Sequence, residues 1–167
     1  MKIVHVLSYF TPEAAYQENL LTKGQYEIGN SVTVITSDRE PLFTSNINSR
    51  HHPLGETDYH GVKIKRIKPL FEIVNRFIIF RSLYKAIKLE KPDLIFFHDH
   101  DPNIILCCLY KLFHKGTYLV TDVHSDHNNS MNSKIGPFYH KIYLRNLIRI
   151  TKRMCDKVFG VSPEALR

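Results

Sequence analysis

Asp93-Leu94-Ile95-Phe96-Phe97-His98-Asp99-His100-Asp101-Pro102 is the stretch whose reading decides the fold. Leu94–Phe97 is apolar without a break, and then the chain turns abruptly to two histidines and two aspartates, with Pro92 and Pro102 as brackets. A short run that is apolar on both faces is the pattern of a parallel strand covered on both sides. Polar residues gathered at its carboxyl end stand where an open α/β sheet keeps its ligand crevice.

Working outward toward the N-terminus, residues 3–7 form a similar run broken only by His5. A helix is predicted over 13–28, with Tyr16, Leu20, Leu21 and Ile28 as its inward stripe and Gly29-Asn30 as its stop. The β-branched residues 32–35 supply the next strand, which completes a β-α-β unit with an expected right-handed crossover. Residues 36–60 have no periodicity and read as a long loop. In 62–67, Val62, Ile64 and Ile67 alternate with Lys63, Lys65 and Arg66, the pattern of an edge strand with a basic outer face. Residues 74–90 read as a helix, with Phe77, Phe80, Tyr84 and Ile87 on one stripe and Arg81, Lys85 and Lys88 on another.

Beyond the opening strand, 103–114 is almost uniformly apolar and predicts a buried helix. A strand at 118–121, a polar loop at 122–136, a long helix at 137–155 and a last strand at 157–161 follow. Ser162-Pro163-Glu164 opens a further helix. The alternation predicts a single doubly wound, Rossmann-like α/β domain over 1–167, mainly parallel, with helices on both faces of the sheet in three layers.

Bulk properties narrow the function classes. The 167 residues are 43% hydrophobic, too apolar for a disordered chain. A net charge of +7 fits an anionic partner: a nucleic acid, a membrane surface or a phosphorylated small ligand. The cations are not interleaved with an aromatic platform, which argues against nucleic acid. Cys107, Cys108 and Cys155 form neither a disulfide framework nor a Cys-x-x-Cys spacing, and a reducing, cytoplasmic setting follows. The apolar start ends by Phe10, too soon for a signal peptide, and no run approaches the ~20 residues of a spanning helix.

Three loops are expected to meet at the switch point beside the first strand. In the first, Ala14, Ala15, Tyr16 and Gln17 open a helix whose free N–H groups suit a phosphate. Glu13 and Glu18 oppose an anion there, and an ordinary helix start explains the same residues. In the second, Asp101 before Pro102 reads as a helix cap, His98 as a crevice wall and His100 as solvated or ligand-facing. In the third, His124 is the candidate for contact with a reacting group or a sugar hydroxyl, with Asp122 and Asp126 as orienting or hydroxyl-binding neighbours. The same histidines and aspartates leave open a metal-dependent hydrolase or deacetylase, although no metal-hydrolase signature appears. A non-catalytic nucleotide-binding module is also open.

Several segments resemble glycosyltransferase family 4: the opening Met1-Lys2-Ile3-Val4-His5-Val6-Leu7-Ser8-Tyr9-Phe10-Thr11-Pro12-Glu13, then Gly29-Asn30-Ser31-Val32-Thr33-Val34-Ile35-Thr36, Lys91-Pro92-Asp93-Leu94-Ile95-Phe96-Phe97-His98, Asp122-Val123-His124 and Cys155-Asp156-Lys157-Val158-Phe159-Gly160-Val161-Ser162. The resemblance implies the N-terminal, acceptor-side half of a GT-B fold and retaining transfer of a sugar from a nucleotide-sugar donor to a glycan or lipid-linked acceptor. It implies no cofactor and no metal. It places His124 near the reacting sugar, His98 on the cleft, and Ala14 and Ala15 where many members carry glycines beside the donor phosphates. Alanine there restricts close phosphate approach. The donor-binding C-terminal domain is expected to be absent from the 167 residues, which are then expected not to transfer sugar alone.

Lys141, Arg145, Arg149 and Arg153 recur every four residues and form one basic row on the predicted helix 137–155. With the apolar residues around them they suit either docking on the inner face of the cytoplasmic membrane or a solvated basic face.

Overall fold

The computed structural model describes residues 1–41, 50–73, 77–99, 101–123 and 145–160. In chain order the elements are β1 (Lys2–Val6), α1 (Gln17–Glu27), β2 (Ser31–Ser37), β3 (Gly55–Tyr59), β4 (Val62–Ile67), β5 (Pro69–Ile73), β6 (Phe77–Phe80), α2 (Leu83–Glu90), β7 (Leu94–Phe97), α3 (Ile104–Phe113), β8 (Tyr118–Val123), α4 (Arg145–Met154) and β9 (Lys157–Gly160). Seven strands form one sheet in the order β3-β4-β2-β1-β7-β8-β9, and β5 with β6 makes a separate hairpin. Only β3 runs antiparallel to its sheet neighbour. The strand order reverses at β1, between β2 and β7, as the doubly wound pattern requires.

Strand parity distributes the core. Val4, Val6, Ile35, Ile95, Phe97 and Leu119 face one side and pack against Leu83, Ala86 and Ile87 of α2, Ile104, Cys107 and Cys108 of α3, and Leu147 of α4. Val32, Val34, Val62 and Ile64 face the other side and pack with Leu7 and Phe10, on the side that α1 covers. The opening strand is buried throughout its last three residues, Ile95, Phe96 and Phe97.

Four local expectations are corrected. β4 is not an edge, because β3, drawn from the segment read as loop, pairs outside it. Strict period two puts Arg66 inward with Val62 and Ile64, while Ile67 shares the face of Lys63 and Lys65. The two lysines pair with Glu90 of α2 at 2.5 and 2.7 Å. Within the predicted helix 74–90, Phe77–Phe80 is a strand and only Leu83–Glu90 is helical. Helical and strand spacings overlap for so short an apolar run, and the Arg81-Ser82 bend separates the two elements. α1 turns Thr22, Leu21 and Gln25 inward and leaves Tyr16, Leu20 and Ile28 exposed. A polar residue takes the inward position there because a buried histidine offers it a partner. α3 is buried on one face only, and Ile105, Leu109, Leu112 and Phe113 are exposed. The loop 124–136, the start of the helix 137–155 and the helix after Ser162 lie outside the described residues.

β3 and β4 join through His60-Gly61, both at positive φ (51° and 86°), a tight turn whose twist matches the strands. A Cβ on Gly61 would lie 2.0 Å from the Tyr26 ring on α1. Gly61→Ala is therefore expected to cost about 1–2 kcal/mol through backbone strain alone, with more if Tyr26 cannot move. The urea midpoint measures it, and an unchanged midpoint would contradict the close packing of α1 on this turn.

Candidate active site

The parallel strands bring their carboxyl ends to one edge, with Val6, Phe97 and Thr121 side by side in register. At that edge the β1 and β7 loops are stitched together. Ser8 Oγ donates to Asp101 Oδ2 at 2.8 Å, and Asp101 Oδ1 accepts the Asn103 backbone N–H at 2.7 Å. Asp101 thus caps the entry to α3, as the Asp-Pro pair predicts. Asn103 donates to the Ile78 carbonyl at 2.6 Å and accepts from the Phe80 N–H at 3.1 Å, tying β6 to the same corner. Burial pushes the Asp101 carboxyl up to about 7, against the opposing hydrogen bonds from Ser8 and Asn103.

A second group crosses the sheet. His5 Nε2 lies 2.6 Å from Gln25 Oε1 on α1, His5 Nδ1 lies 2.8 Å from His98 Nε2, and His98 Nδ1 lies 2.9 Å from Asp122 Oδ2. At the contact between the two rings one imidazole nitrogen donates and the other accepts. Asp122 Oδ1 also accepts the Asp99 N–H at 2.9 Å, and Asp99 sits at φ 68°, a conformation aspartate tolerates better than most residues. His5, His98 and Asp122 are all buried, and Phe96 stacks against both imidazoles. Burial, then the neighbouring His98, lowers the His5 pKa to about 3, so His5 is neutral.

The third group surrounds two carboxylates at the end of β2. Glu40 is fully buried and bonds Thr11 and His52, one at each oxygen. Arg66 donates to the Ser37 and Phe10 carbonyls at 3.0 Å each. Glu72 accepts from Tyr9 and from Arg50, each at 2.6 Å, and pairs with Arg39. Burial opposes ionisation of Glu72, but hydrogen bonds from Arg50, Tyr9 and Arg39 outweigh it and hold the carboxyl at about 2. Beside this cluster a cavity of about 320 Å³ is lined by Thr11, Glu13, Glu40, His52, Tyr59 and Arg66. A neighbouring cavity of about 270 Å³ is lined by Ala14, Ala15, Phe10, Asn19, Tyr59 and Val62 among others.

A model of glycosyltransferase family 4 matches residues 19–167. The chain belongs to glycosyltransferase family 4. No curated protein sequence matches it. Among solved structures it is similar to sucrose-phosphate synthase from Thermosynechococcus elongatus, with a TM-score of 0.56 and 13% identity over 97% of this chain and 42% of that one. It is equally similar to a protein described as a UDP-N-acetylglucosamine 2-epimerase from Listeria monocytogenes, with a TM-score of 0.56 and 14% identity over 99% of this chain and 40% of that one. At such identities the likeness shows the fold alone, the Rossmann-like half of a GT-B architecture. The chain spans about two-fifths of the length of either structure.

The family 4 match begins after Ala14, Ala15, Tyr16 and Gln17. Those four sit at the start of α1: Ala14 turns back on Thr11 at 3.0 Å, the Tyr16 carbonyl accepts the first helical N–H groups, and Gln17 is the first helical residue. Ala14 and Ala15 line the smaller cavity, while Tyr16 and Gln17 are exposed. His98, read as a crevice wall, has its ring enclosed between His5 and Asp122 instead, because those partners compensate its burial. Asp122 is likewise buried. His100, His124, Asp126 and Lys141 lie outside the described residues, as does the side chain of Arg145, whereas Arg149 and Arg153 are exposed on α4. His5 was legible as a lone polar residue in an apolar strand. Glu40, His52, Arg66 and Glu72 carried no signal, since they come together only through tertiary contacts: the Arg39–His51 bridge beyond β2, the β2-β4 pairing and the β5-β6 hairpin.

Proposed function

We propose that this chain is the acceptor-holding half of a retaining glycosyltransferase that moves a sugar from a nucleotide-sugar donor to a glycan or lipid-linked acceptor. Family membership supports the reaction class, and the observation that carries the acceptor side is the larger cavity at the carboxyl end of the sheet. A buried carboxylate, Glu40, and the half-exposed imidazole of His52 line it together with Tyr59. Carboxylate, imidazole and phenol are the groups that exchange hydrogen bonds with sugar hydroxyls, and an aromatic wall accepts a sugar's apolar face. In this reading His124, the residue after β8 in sequence, and Asp126 serve the reacting sugar, and Ala14, Ala15, Tyr16 and Gln17 border the donor phosphates. His98 and Asp122 support that edge from within. Of the residues that a metal-hydrolase reading would use, His98, Asp101 and Asp122 are each engaged by protein groups.

The test pairs turnover with binding. Incubation of the 167-residue chain with a panel of nucleotide sugars and oligosaccharide or lipid-linked acceptors is expected to yield no transfer product by mass spectrometry. Titration is expected to show acceptor binding that His52→Ala weakens about tenfold, the loss of one hydrogen bond from the site. Transfer by the chain alone would overturn the acceptor-half reading. Acceptor binding indifferent to His52→Ala would move the site elsewhere.

A further inference from the structure

α2, α3 and α4 form one helical layer, with α3 packed between the other two. α3 was expected to be buried, yet it shows solvent an apolar stripe at positions i, i+4, i+7 and i+8: Ile105, Leu109, Leu112 and Phe113, between 41% and 68% exposed. Ile150 of α4 is exposed as well. On one side stand the exposed Lys85 and Lys88 of α2, and on the other the exposed Arg149 and Arg153 of α4. None of these four cations makes an ion pair with a described residue. α3 and α4 contain no acidic residue. Glu90, the acid of α2, is taken up by Lys63 and Lys65, and Asp156 after α4 pairs with Lys111 at 2.5 Å.

From this pattern we infer that the outer face of the α2-α3-α4 layer docks on an anionic lipid bilayer, with the α3 stripe at the acyl boundary and the flanking cations on lipid phosphates. Both halves of the surface are accounted for at once. An apolar stripe of this size is seldom left in water, and rows of cations on both sides match a negatively charged headgroup layer. A second copy of the chain would bring the same positive rows face to face. A nucleic acid would satisfy the cations and leave the aliphatic ridge in water. Among the described residues no helix is long and apolar enough to cross a membrane, so the docking is interfacial. This inference stands apart from the sugar-transfer reading and does not depend on which acceptor is used.

Co-sedimentation with vesicles tests it. The chain is expected to pellet with vesicles of phosphatidylcholine plus phosphatidylglycerol, to remain in solution with phosphatidylcholine alone, and to be released as salt is raised. Arg149→Gln with Arg153→Gln is expected to lower the partition roughly thirty-fold, about fivefold per cation. Leu112→Ser with Phe113→Ser is expected to abolish pelleting at the same lipid concentration. All four side chains are exposed, and unchanged circular dichroism and melting in these variants separates lost docking from lost folding. Equal recovery on both vesicle types, no recovery on either, or binding that survives both double substitutions would overturn the inference. So would a concentration-dependent dimer that Leu112→Ser with Phe113→Ser dissolves, which would make a second copy the occupant.

Discussion

Asp101→Asn is expected to stabilise the fold near pH 8 and to turn a nearly flat pH dependence below neutrality into one that rises with pH. Asp101 is buried, with its carboxyl raised from 3.8 to about 7, so the folded chain keeps a proton that the unfolded chain has released. Between roughly pH 4 and pH 7 the unfolded state binds fewer protons, and this group's contribution falls as pH rises, by on the order of 4 kcal/mol across the window. His5 works the other way. Its pKa of about 3 against 6.5 unfolded means that the unfolded chain takes up a proton as pH falls below 6.5, and stability falls with it. The two slopes oppose each other from about pH 4 to pH 6.5, where the wild-type curve is expected to be nearly flat. Glu72, held at about 2 against 4.5, adds its loss only below that plateau.

Asparagine at position 101 keeps an acceptor for the Asn103 N–H and a partner for Ser8, and it removes the titration. The variant should then gain stability with pH up to about 6.5 and level off. Near pH 8 it should exceed wild type by up to about 4 kcal/mol. Urea midpoints at three pH values measure this. A variant no more stable than wild type near pH 8 would mean that burial does not raise the Asp101 carboxyl above its ordinary range.

The second large effect is expected at Asp122. Its carboxylate ties β8 to two adjacent residues of the loop after β7, the buried His98 ring at 2.9 Å and the Asp99 N–H at 2.9 Å. Asp122→Ala strands both and leaves a cavity. The expected loss is about 3–5 kcal/mol, the range for removing one member of a buried pair. Asp122→Asn keeps an acceptor for the Asp99 N–H and should cost distinctly less. A paired substitution, Asp122→Leu with His98→Leu, removes donor and acceptor together and should recover part of the loss. Denaturant unfolding of the three variants ranks them. If Asp122→Ala costs under about 1 kcal/mol, water replaces the carboxylate and the chain from Gln25 to Asp122 is not a closed network. Hydrogen exchange at Asp99 offers a second readout, because Asp122 accepts from its amide.

Legibility in the sequence divides along the range of the interactions. The strands at residues 3–7, 32–35, 94–97 and 118–121 were readable because a strand buried on both faces must be apolar along its whole length. Their order around the switch point followed from β-α-β alternation and a fixed crossover hand. The Asp101 cap was readable because Asp-Pro constrains its own neighbours. Periodicity failed where two elements shared one apolar run, as at Phe77–Phe80 and Leu83–Glu90. It failed again where a polar side chain faced inward, as with Gln25 on α1 and Arg66 on β4.

The candidate site was harder for the same reason. His98 and Asp122 were singled out for their place at strand ends, but sequence cannot tell an imidazole in a crevice from one buried between two partners. What the sequence alone determined is the doubly wound class and the edge of the sheet at which the polar strand ends gather, because both follow from local patterns of burial and turn. Tertiary structure alone decided that His5, from the middle of one strand, meets His98 and Asp122 from the ends of two others, that Glu40, His52 and Arg66 wall one cavity, and that α3 keeps an apolar face in solvent between two rows of cations. Those are pairings across 12 to 93 residues of chain, set by sheet register and helix layering, which no local pattern encodes.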